Sequence, residues 1–270
     1  MQPLRYFSRI AGPYGGGRAL LRSLFIPRTC NERIQRSKLL NRDPRLPQRQ
    51  DKILVKKFVR EKLGNEWVIP SLWEGTTLPP ISQRTWPAPF VIKANNGCGW
   101  NVFVRDTRGL DWSAIERITH EWRGSTYGAE YGEWLYSAIT PGLLVEPFIS
   151  PTQELPVDYK LWTFKGAVQF IQVDTDREHH HKRTMFDLNW NQLPFTRGFP
   201  ADTRAIPRPK SLDRMMEAAV ILAENLQFAR IDFYEISGNP LFGEITFYPG
   251  SGSQRFEPAE WDRKIGEMWR

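Results

Sequence analysis

The chain has 270 residues and a mass of 31.5 kDa, is 40% hydrophobic and 25% charged, and carries 20 Gly and 21 Pro. That is the make-up of one large or two modest folded domains, and it excludes fibrous and disordered classes. No run reaches the roughly 18 apolar residues of a membrane-spanning helix. The only cysteines, Cys30 and Cys98, lie far apart, which rules out a disulfide framework and points to a reducing, cytoplasmic compartment.

The net charge of +7 is unevenly placed. Residues 1–50 hold 11 Lys and Arg against Glu32 and Asp43, a balance of +9, so the other 220 residues sum to −2. The basic pI belongs to an N-terminal arm, and the near-neutral body carries no recognisable RNA- or DNA-binding module, so no nucleic-acid partner is expected. The arm, residues 1–26, lacks the apolar core of a secretory signal and reads as an extension with solvated arginines. Its charge suits peripheral contact with anionic lipid at the inner face of a membrane, or with a polyanionic substrate; in a eukaryote it could be a transit peptide.

Along the body, Asp51 to Leu63 has helical spacing at Ile53, Leu54, Phe58 and Val59 and ends at Gly64. Ser71 to Pro89, rich in Pro and Thr, reads as a loop. Phe90 to Lys93 and Val102 to Arg105 read as strands around Asn95-Asn-Gly-Cys-Gly-Trp-Asn101. Asp111 to Trp122 and Glu130 to Ser137 read as helices, and Leu143 to Ile149 as a strand. Tyr159 to Phe164 and Ala167 to Val173 flank Lys165-Gly166 as a hairpin. Ser211 to Asn225 is a patterned helix with Ser211 as N-cap. Phe228 to Tyr234 and Leu241 to Phe247 form a second hairpin around Ser237 to Pro240, and a last helix runs from Glu257 to Met268. Mixed helices and hairpins place the fold in the α+β class.

The last hairpin carries the sharpest chemical signal. Arg230 and Asp232 share one face of their strand, and Glu244 and Thr246 share one face of theirs. With the turn centred on Gly238, position i pairs with position 476 − i, so Asp232 faces Glu244 and Arg230 faces Thr246. Two carboxylates directly across an antiparallel pair repel. A divalent cation with a taste for hard oxygen ligands, such as Mg²⁺, relieves that repulsion; so does Arg230 neutralising both acids on a solvated face.

Lys93 at a strand end beside a loop with Gly97 and Gly99 suits phosphate oxygens, which backbone N–H groups and a point charge can meet together. A plain hairpin turn explains the same residues, and no Walker pattern is present. Lys160 shares a face with Asp158, as a surface ion pair would. His179, His180 and His181 point in alternating directions in an extended segment, so they make a poor joint metal site; His181 beside Arg183 suits contact with an acidic substrate.

Taken in order, these motifs resemble the TupA-like branch of the ATP-grasp proteins, found in bacterial polysaccharide gene clusters. The likeness runs from Pro27 through PRTCNERIQRSKLLNRDP, FVIKANNGCGWN, Val145-Glu146-Pro147-Phe148, LPVDYKLWTFKGAVQFIQVDTDR, FDLNWNQLPF and FGEITFYPGSG to Glu260-Trp261, about nine-tenths of the chain. It implies two α+β subdomains gripping ATP between antiparallel sheets. The expected division is a basic arm (1–26), a helical and loop segment (27–88), a lid subdomain with the Gly-rich loop (89–150) and a C-terminal subdomain with the metal hairpin (151–270).

By the same resemblance, Lys93 and the loop Asn95, Gly97 and Gly99 hold ATP phosphates, Glu146 sits by the adenine, and Asp158 (less favourably Glu154) binds the ribose. Lys160 faces the phosphates, Arg230 stabilises the transferring phosphoryl group, and Asp232 and Glu244 hold Mg²⁺. Relatives often have Asn where this chain has Thr246, which leaves metal number and affinity open. The implied reaction joins a small-molecule or glycan-linked carboxylate to an amine such as an amino acid through an acylphosphate, in cell-surface polysaccharide synthesis. The alternatives are a non-catalytic ATP-binding component and a glycosyltransferase-type protein of the same gene clusters.

Overall fold

The computed structural model describes residues 25–150, 152 and 154–269. Nearly all of the basic arm therefore lies outside the described residues. The chain divides into two compact units. Unit 1 comprises the described parts of Met1–Asp43 and Leu155–Arg270 together with Glu130–Glu133; unit 2 comprises Pro44–Ala129 and Trp134–Glu154. The segment 27–88 is thus not a body of its own: its first part joins unit 1 and its remainder joins unit 2. No helix among the described residues is long and apolar enough to cross a membrane.

Unit 2 is built on a four-stranded antiparallel sheet, order β1-β4-β2-β3, from β1 (Trp73–Gly75), β2 (Phe90–Ala94), β3 (Asn101–Val104) and β4 (Leu143–Pro147). Alternation along β2 and β4 sends Phe90, Ile92 and Val145 to one face, where they form a core with Val104 and Ile115 beneath Trp73, Trp86 and Trp112. The other face carries Val91, Lys93, Leu144 and Glu146. The helices are α2 (Arg45–Gln50), α3 (Leu54–Leu63), α4 (Trp112–Gly124) and the single turn α5 (Trp134–Ser137). The loop expected over 71–89 contains β1, which pairs with β4 through Trp73↔Val145; three residues interrupted by Gly are too short to show a period. The helix expected over 130–137 is broken at Gly132, whose φ of +70° ends any right-handed run.

Unit 1 holds a five-stranded antiparallel sheet, order β10-β9-β5-β6-β7, from β5 (Asp158–Phe164), β6 (Ala167–Thr175), β7 (Lys182–Phe186), β9 (Phe228–Ile236) and β10 (Asn239–Thr246). A small ladder joins β8 (Thr196–Arg197) to β11 (Phe256–Glu257). Helix α6 (Leu212–Leu222) packs across β5, β6, β9 and β10. Its buried Met215, Ala218, Ala219 and Leu222 match an apolar sheet face of Leu161, Ile171, Val173, Ile231 and Ile245. Ser211 does not cap this helix with its side chain. Its N–H and hydroxyl both donate to Glu235 Oε2, at 2.7 and 2.6 Å, and fasten the helix start to β9. Helices α1 (Cys30–Leu40) and α7 (Glu260–Met268) pack on each other.

The β9–β10 hairpin has the expected pairing for a different reason. Its turn is the two-residue Ser237-Gly238, with φ of +52° and +79°, the left-handed pair that matches strand twist. Such a turn pairs Asn239 with Ile236 and Phe242 with Phe233, a register that would carry Glu244 opposite Ile231. A bulge at Gly243 restores the count: beyond it Glu244 pairs with Asp232 and Thr246 with Arg230. A Cβ on Gly243 would stand 3.1 Å from the carbonyl oxygen of Asp232, and backbone cannot step aside. We expect Gly243→Val to cost about 1–3 kcal/mol of stability, read as a shift in the urea unfolding midpoint, whereas Gly238→Asn, at a turn position that tolerates Asn, should cost under ~1 kcal/mol.

Candidate active site

In unit 1 the face of the five-stranded sheet opposite α6 is polar, and register alone lines up its residues. One row runs Glu244, Asp232, Lys160, Gln172; the next runs Thr246, Arg230, Trp162, Phe170. Asp158 stands opposite Asp174, and Asp174 opposite Arg183. The sheet buries this row: Asp232 is 1% exposed, Asp158 4%, Lys160 7% and Arg230 8%.

Buried charges persist only when paired, and each here is. Arg230 donates to both oxygens of Asp232, Nε to Oδ1 at 2.7 Å and Nη2 to Oδ2 at 2.6 Å. Its Nη2 also reaches Thr246 Oγ1 at 3.0 Å and Glu244 Oε1 at 3.3 Å, and the Thr246 hydroxyl donates to Glu244 Oε1 at 3.0 Å. Lys160 bridges two carboxylates, Asp232 Oδ2 at 2.7 Å and Asp158 Oδ2, and Arg177 adds a bond to Asp158 Oδ2 at 3.1 Å. Burial alone would favour the neutral forms of Lys160 and Arg230; the facing Asp158, Asp232 and Glu244 reverse this and raise both above their ordinary values. The sequence-expected Arg230, Asp232, Glu244, Lys160 and Asp158 are therefore one contiguous network.

His181 and Arg183 sit at the other edge of this face. Arg183 is spent on Asp174, Nε to Oδ1 at 2.7 Å and Nη2 to Oδ2 at 2.9 Å, and on the Arg197 carbonyl at 2.9 Å. His181 stacks on Phe199 with ring centroids 3.7 Å apart and holds Nε2 3.4 Å from Asp174 Oδ2. Burial works against the Asp174 carboxylate, but bonds from His181 and Arg183 and the charge of Lys160 hold its pKa far below the usual range. His179 and His180 are exposed, and no group of three or more His, Cys, Asp and Glu among the described residues has metal-holding geometry.

In unit 2, Lys93 Nζ lies 2.5 Å from Glu146 Oε2. The other oxygen of Glu146 meets Lys56, whose ammonium also donates to the Ile69 carbonyl at 2.9 Å and Ser71 Oγ at 2.8 Å. Burial of Glu146 would raise its pKa, yet the two lysines bring it below the ordinary value. Sequence reasoning missed Lys56. The signal was there: Val55, Lys56 and Val59 share the buried stripe of α3, while Leu54, taken as an inward residue, is 51% exposed.

The Gly-rich loop is pinned rather than slack. Asn95 donates to Asp51 Oδ2 and the Thr140 carbonyl, both at 3.0 Å, and accepts from the Gly142 N–H at 2.7 Å. Lys52 Nζ donates to the Gly97 carbonyl, and Gly97 lies flat on the Trp100 ring, where a Cβ would come within 2.6 Å. Trp100 in turn stacks on Trp122 and meets the edge of Tyr127. Cys98 and Gly99 form the exposed tip. Lys52 is a second cation at this loop that spacing did not single out.

A family model described as TupA-like ATPgrasp matches residues 32–270. A search of curated proteins gave no match. Solved structures similar to this chain include a D-alanine–D-alanine ligase from Bacillus anthracis complexed with ATP, at 14% identity and TM-score 0.44 over 74% of this chain and 55% of that one. The corresponding ligase from Helicobacter pylori gives 15%, 0.44, 82% and 60%. The ATP-grasp ligase PsnB complexed with minimal precursor gives 14%, 0.46, 84% and 61%. The chain thus spans between 55% and 61% of the length of these three. With the model matched over almost all of its length, the chain belongs to the TupA-like ATP-grasp family.

Proposed function

We propose that this protein is an ATP- and Mg²⁺-dependent carboxylate–amine ligase, ADP-forming, acting in cell-surface polysaccharide synthesis. The observation that carries the reading is the row Glu244–Asp232–Lys160, buried at Asp232 and Lys160, with buried Arg230 beside it. A sheet whose only task was packing would not place acids opposite each other across two strand pairs, Asp232↔Glu244 and Asp158↔Asp174.

The residues fit both groups the reading requires. For Mg²⁺, Asp232, Glu244 and the Thr246 hydroxyl are hard oxygen donors on one strand pair. Two carboxylates are what this ion takes when substrate phosphates complete its shell. For a nucleotide, Asp158 Oδ1 has no hydrogen-bond partner although Asp158 is buried, which leaves an acceptor for ribose hydroxyls. Lys93, backed by Glu146, and the pinned loop of Asn95, Gly97 and Gly99 suit phosphates, with Lys52 at the same loop. Glu146 is assigned beside the adenine.

Charge supports the pairing of metal with nucleotide. Asp158, Asp174, Asp232 and Glu244 balance Lys160, Arg177, Arg183 and Arg230 on this face. A neutral, buried set accepts neither a bare cation nor a bare polyphosphate well, while the two together preserve the balance. A bound Mg²⁺ supplies positive charge to the polyphosphate oxygens. Arg230 and Lys160 meet the negative charge on the phosphoryl group as it moves. In that transfer a substrate carboxylate oxygen bonds to the γ-phosphorus and ADP departs. The amine then forms the C–N bond, phosphate departs, and the amine's proton passes to solvent. The acid is a small-molecule or glycan-linked carboxylate, and the amine an amino acid.

Calorimetry with a non-hydrolysable ATP analogue, beside a UDP-sugar, tests this. Binding that strengthens at least tenfold with Mg²⁺ is expected; UDP-sugar binding without it would replace ligation by glycosyl transfer or carriage. Glu244→Gln, at a partly exposed position, should remove the Mg²⁺ enhancement while leaving the melting temperature within a few degrees. Lys93→Ala should weaken the ATP analogue at least tenfold more than adenosine, since the lost charge faces phosphate and not the base.

A further inference from the structure

Unit 2 gathers three charged side chains against one another, two of them cations. Glu146 on β4 and Lys93 on β2 share a face of the sheet, because β2 pairs with β4 as Val91↔Glu146 and Lys93↔Leu144. That makes them diagonal neighbours, within reach of two long side chains, and Lys93 Nζ stands 2.5 Å from Glu146 Oε2. Lys56 comes from α3, where the buried stripe of Val55 and Val59 carries its stem inward. Its ammonium meets Glu146 Oε1, the Ile69 carbonyl at 2.9 Å and Ser71 Oγ at 2.8 Å.

The two lysines are not equivalent. An ammonium has three N–H donors, and the three acceptors around Lys56 take them all, which leaves none for a ligand. The Lys56 side chain is 7% exposed and that of Glu146 6%, against 23% for Lys93. Lys93 is therefore the member of the trio that an anion can reach. Nor does Lys56 serve stability. Burial lowers its pKa below the ordinary lysine value, with Glu146 opposing the shift. The folded chain thus holds this proton less firmly than the unfolded one, so keeping the ammonium charged costs folding free energy.

We propose that Lys56 is a positioning residue for Lys93: it is the standing counter-ion of Glu146, and so leaves the charge of Lys93 to the phosphate oxygens of a nucleotide. The inference rests on the reading of Lys93 as a phosphate contact. Lys56, Lys93 and Glu146 together carry a net charge of +1, and the surplus sits at the more open ammonium. Without Lys56 the remaining pair sums to zero, Lys93 is drawn fully onto Glu146, and a polyphosphate meets no net charge. With Glu146 made neutral as well, the surplus returns to Lys93.

Two variants test this: Lys56→Met, compared with wild type, and Lys56→Met/Glu146→Gln, compared with Glu146→Gln. The readout is the preference for a non-hydrolysable ATP analogue over adenosine, by calorimetry at saturating Mg²⁺. Both ligands carry the base, so an effect of Glu146 on adenine cancels. Lys56→Met should lower the preference about fivefold or more, while in the Gln background the same change should shift it by less than about twofold. A preference untouched by Lys56→Met overturns the proposal. So does an equal loss in both backgrounds, since a support of the fold would act whether or not Glu146 is charged. Removing one cation strands part of a buried charge; if Lys56→Met does not fold, the comparison in the Gln background decides, equality supporting the proposal and a loss overturning it.

A second readout needs no nucleotide. Wild type and variants are treated with a water-soluble active ester, and acylation of Lys93 is followed by mass spectrometry of its peptide. An ammonium drawn onto a carboxylate gives up its proton less readily, so Lys56→Met should slow acylation about threefold and Lys56→Met/Glu146→Gln should restore it. Equal rates in all three proteins overturn the proposal. A wild type that binds the ATP analogue no better than adenosine overturns the ligase reading, whereas a wild-type preference that survives Lys56→Met overturns this inference alone.

Discussion

The fork of hydrogen bonds between Arg230 and Asp232 is the constraint on which the unit 1 sheet depends. It puts a guanidinium and a carboxylate, each almost without solvent, on β9, between the strands that carry Lys160 and Glu244. Removing one partner of a buried pair costs about 3–5 kcal/mol, because the other charge is stranded. The whole row is therefore an all-or-none device: Arg230 satisfies Asp232, Lys160 ties Asp232 to Asp158, and Arg177 and Arg183 complete the balance at Asp158 and Asp174. Such a row adds little net stability over an apolar one of the same volume. Under the proposed function, its presence is explained by a ligand that needs those charges.

Unit 2 repeats the logic on a smaller scale. One buried carboxylate, Glu146, holds two lysines from different elements, Lys93 on β2 and Lys56 on α3. Lys56 is further fixed by a carbonyl and a hydroxyl, so Glu146 remains neutralised when Lys93 engages something else. The adjacent Gly-rich loop is held by an amide clamp at Asn95 and an aromatic stack at Trp100. These contacts fix its shape, which under the proposed function lowers the ordering cost of binding. The left-handed turn after β10 is handled the same way in unit 1, by donors from α1 and β8 that consume its carbonyls. In both loops a long polar side chain from a remote segment takes up backbone carbonyls, Lys52 at Gly97 and Gln35, Lys38 and Arg197 at the turn after β10.

The two hairpins were legible because a strand's period of two and a glycine turn suffice to write them down. Arg230, Asp232, Glu244, Lys160 and Asp158 followed from that alternation, and their order along the chain carried the family resemblance. Other features had no local signal. Strand β1 is three residues long, β7 follows a histidine-rich segment with no alternation of its own, and the break at Gly132 interrupts what looks like helical spacing. The partners of Lys56 and Lys52 carry no signal in the sequence because a lysine's stem can lie along an apolar stripe while its head finds a carboxylate or a carbonyl on another element.

By itself the sequence determined the α+β class, the β5–β6 and β9–β10 hairpins, the alternation that gathers acids and cations on one sheet face, and the family. It could do so because these are consequences of periods two and 3.6 and of neighbours in the chain. Tertiary structure alone decided that Asp232 meets Glu244 through a bulge at Gly243 and not through the turn, that Ser211 fastens Glu235 instead of capping α6, that Lys56 shares Glu146 with Lys93, and that α1 holds the turn after β10. Each of these depends on where a backbone group or a long side chain from a remote segment comes to rest, and hydrogen-bond partners separated by tens to hundreds of residues leave no period for a sequence to show.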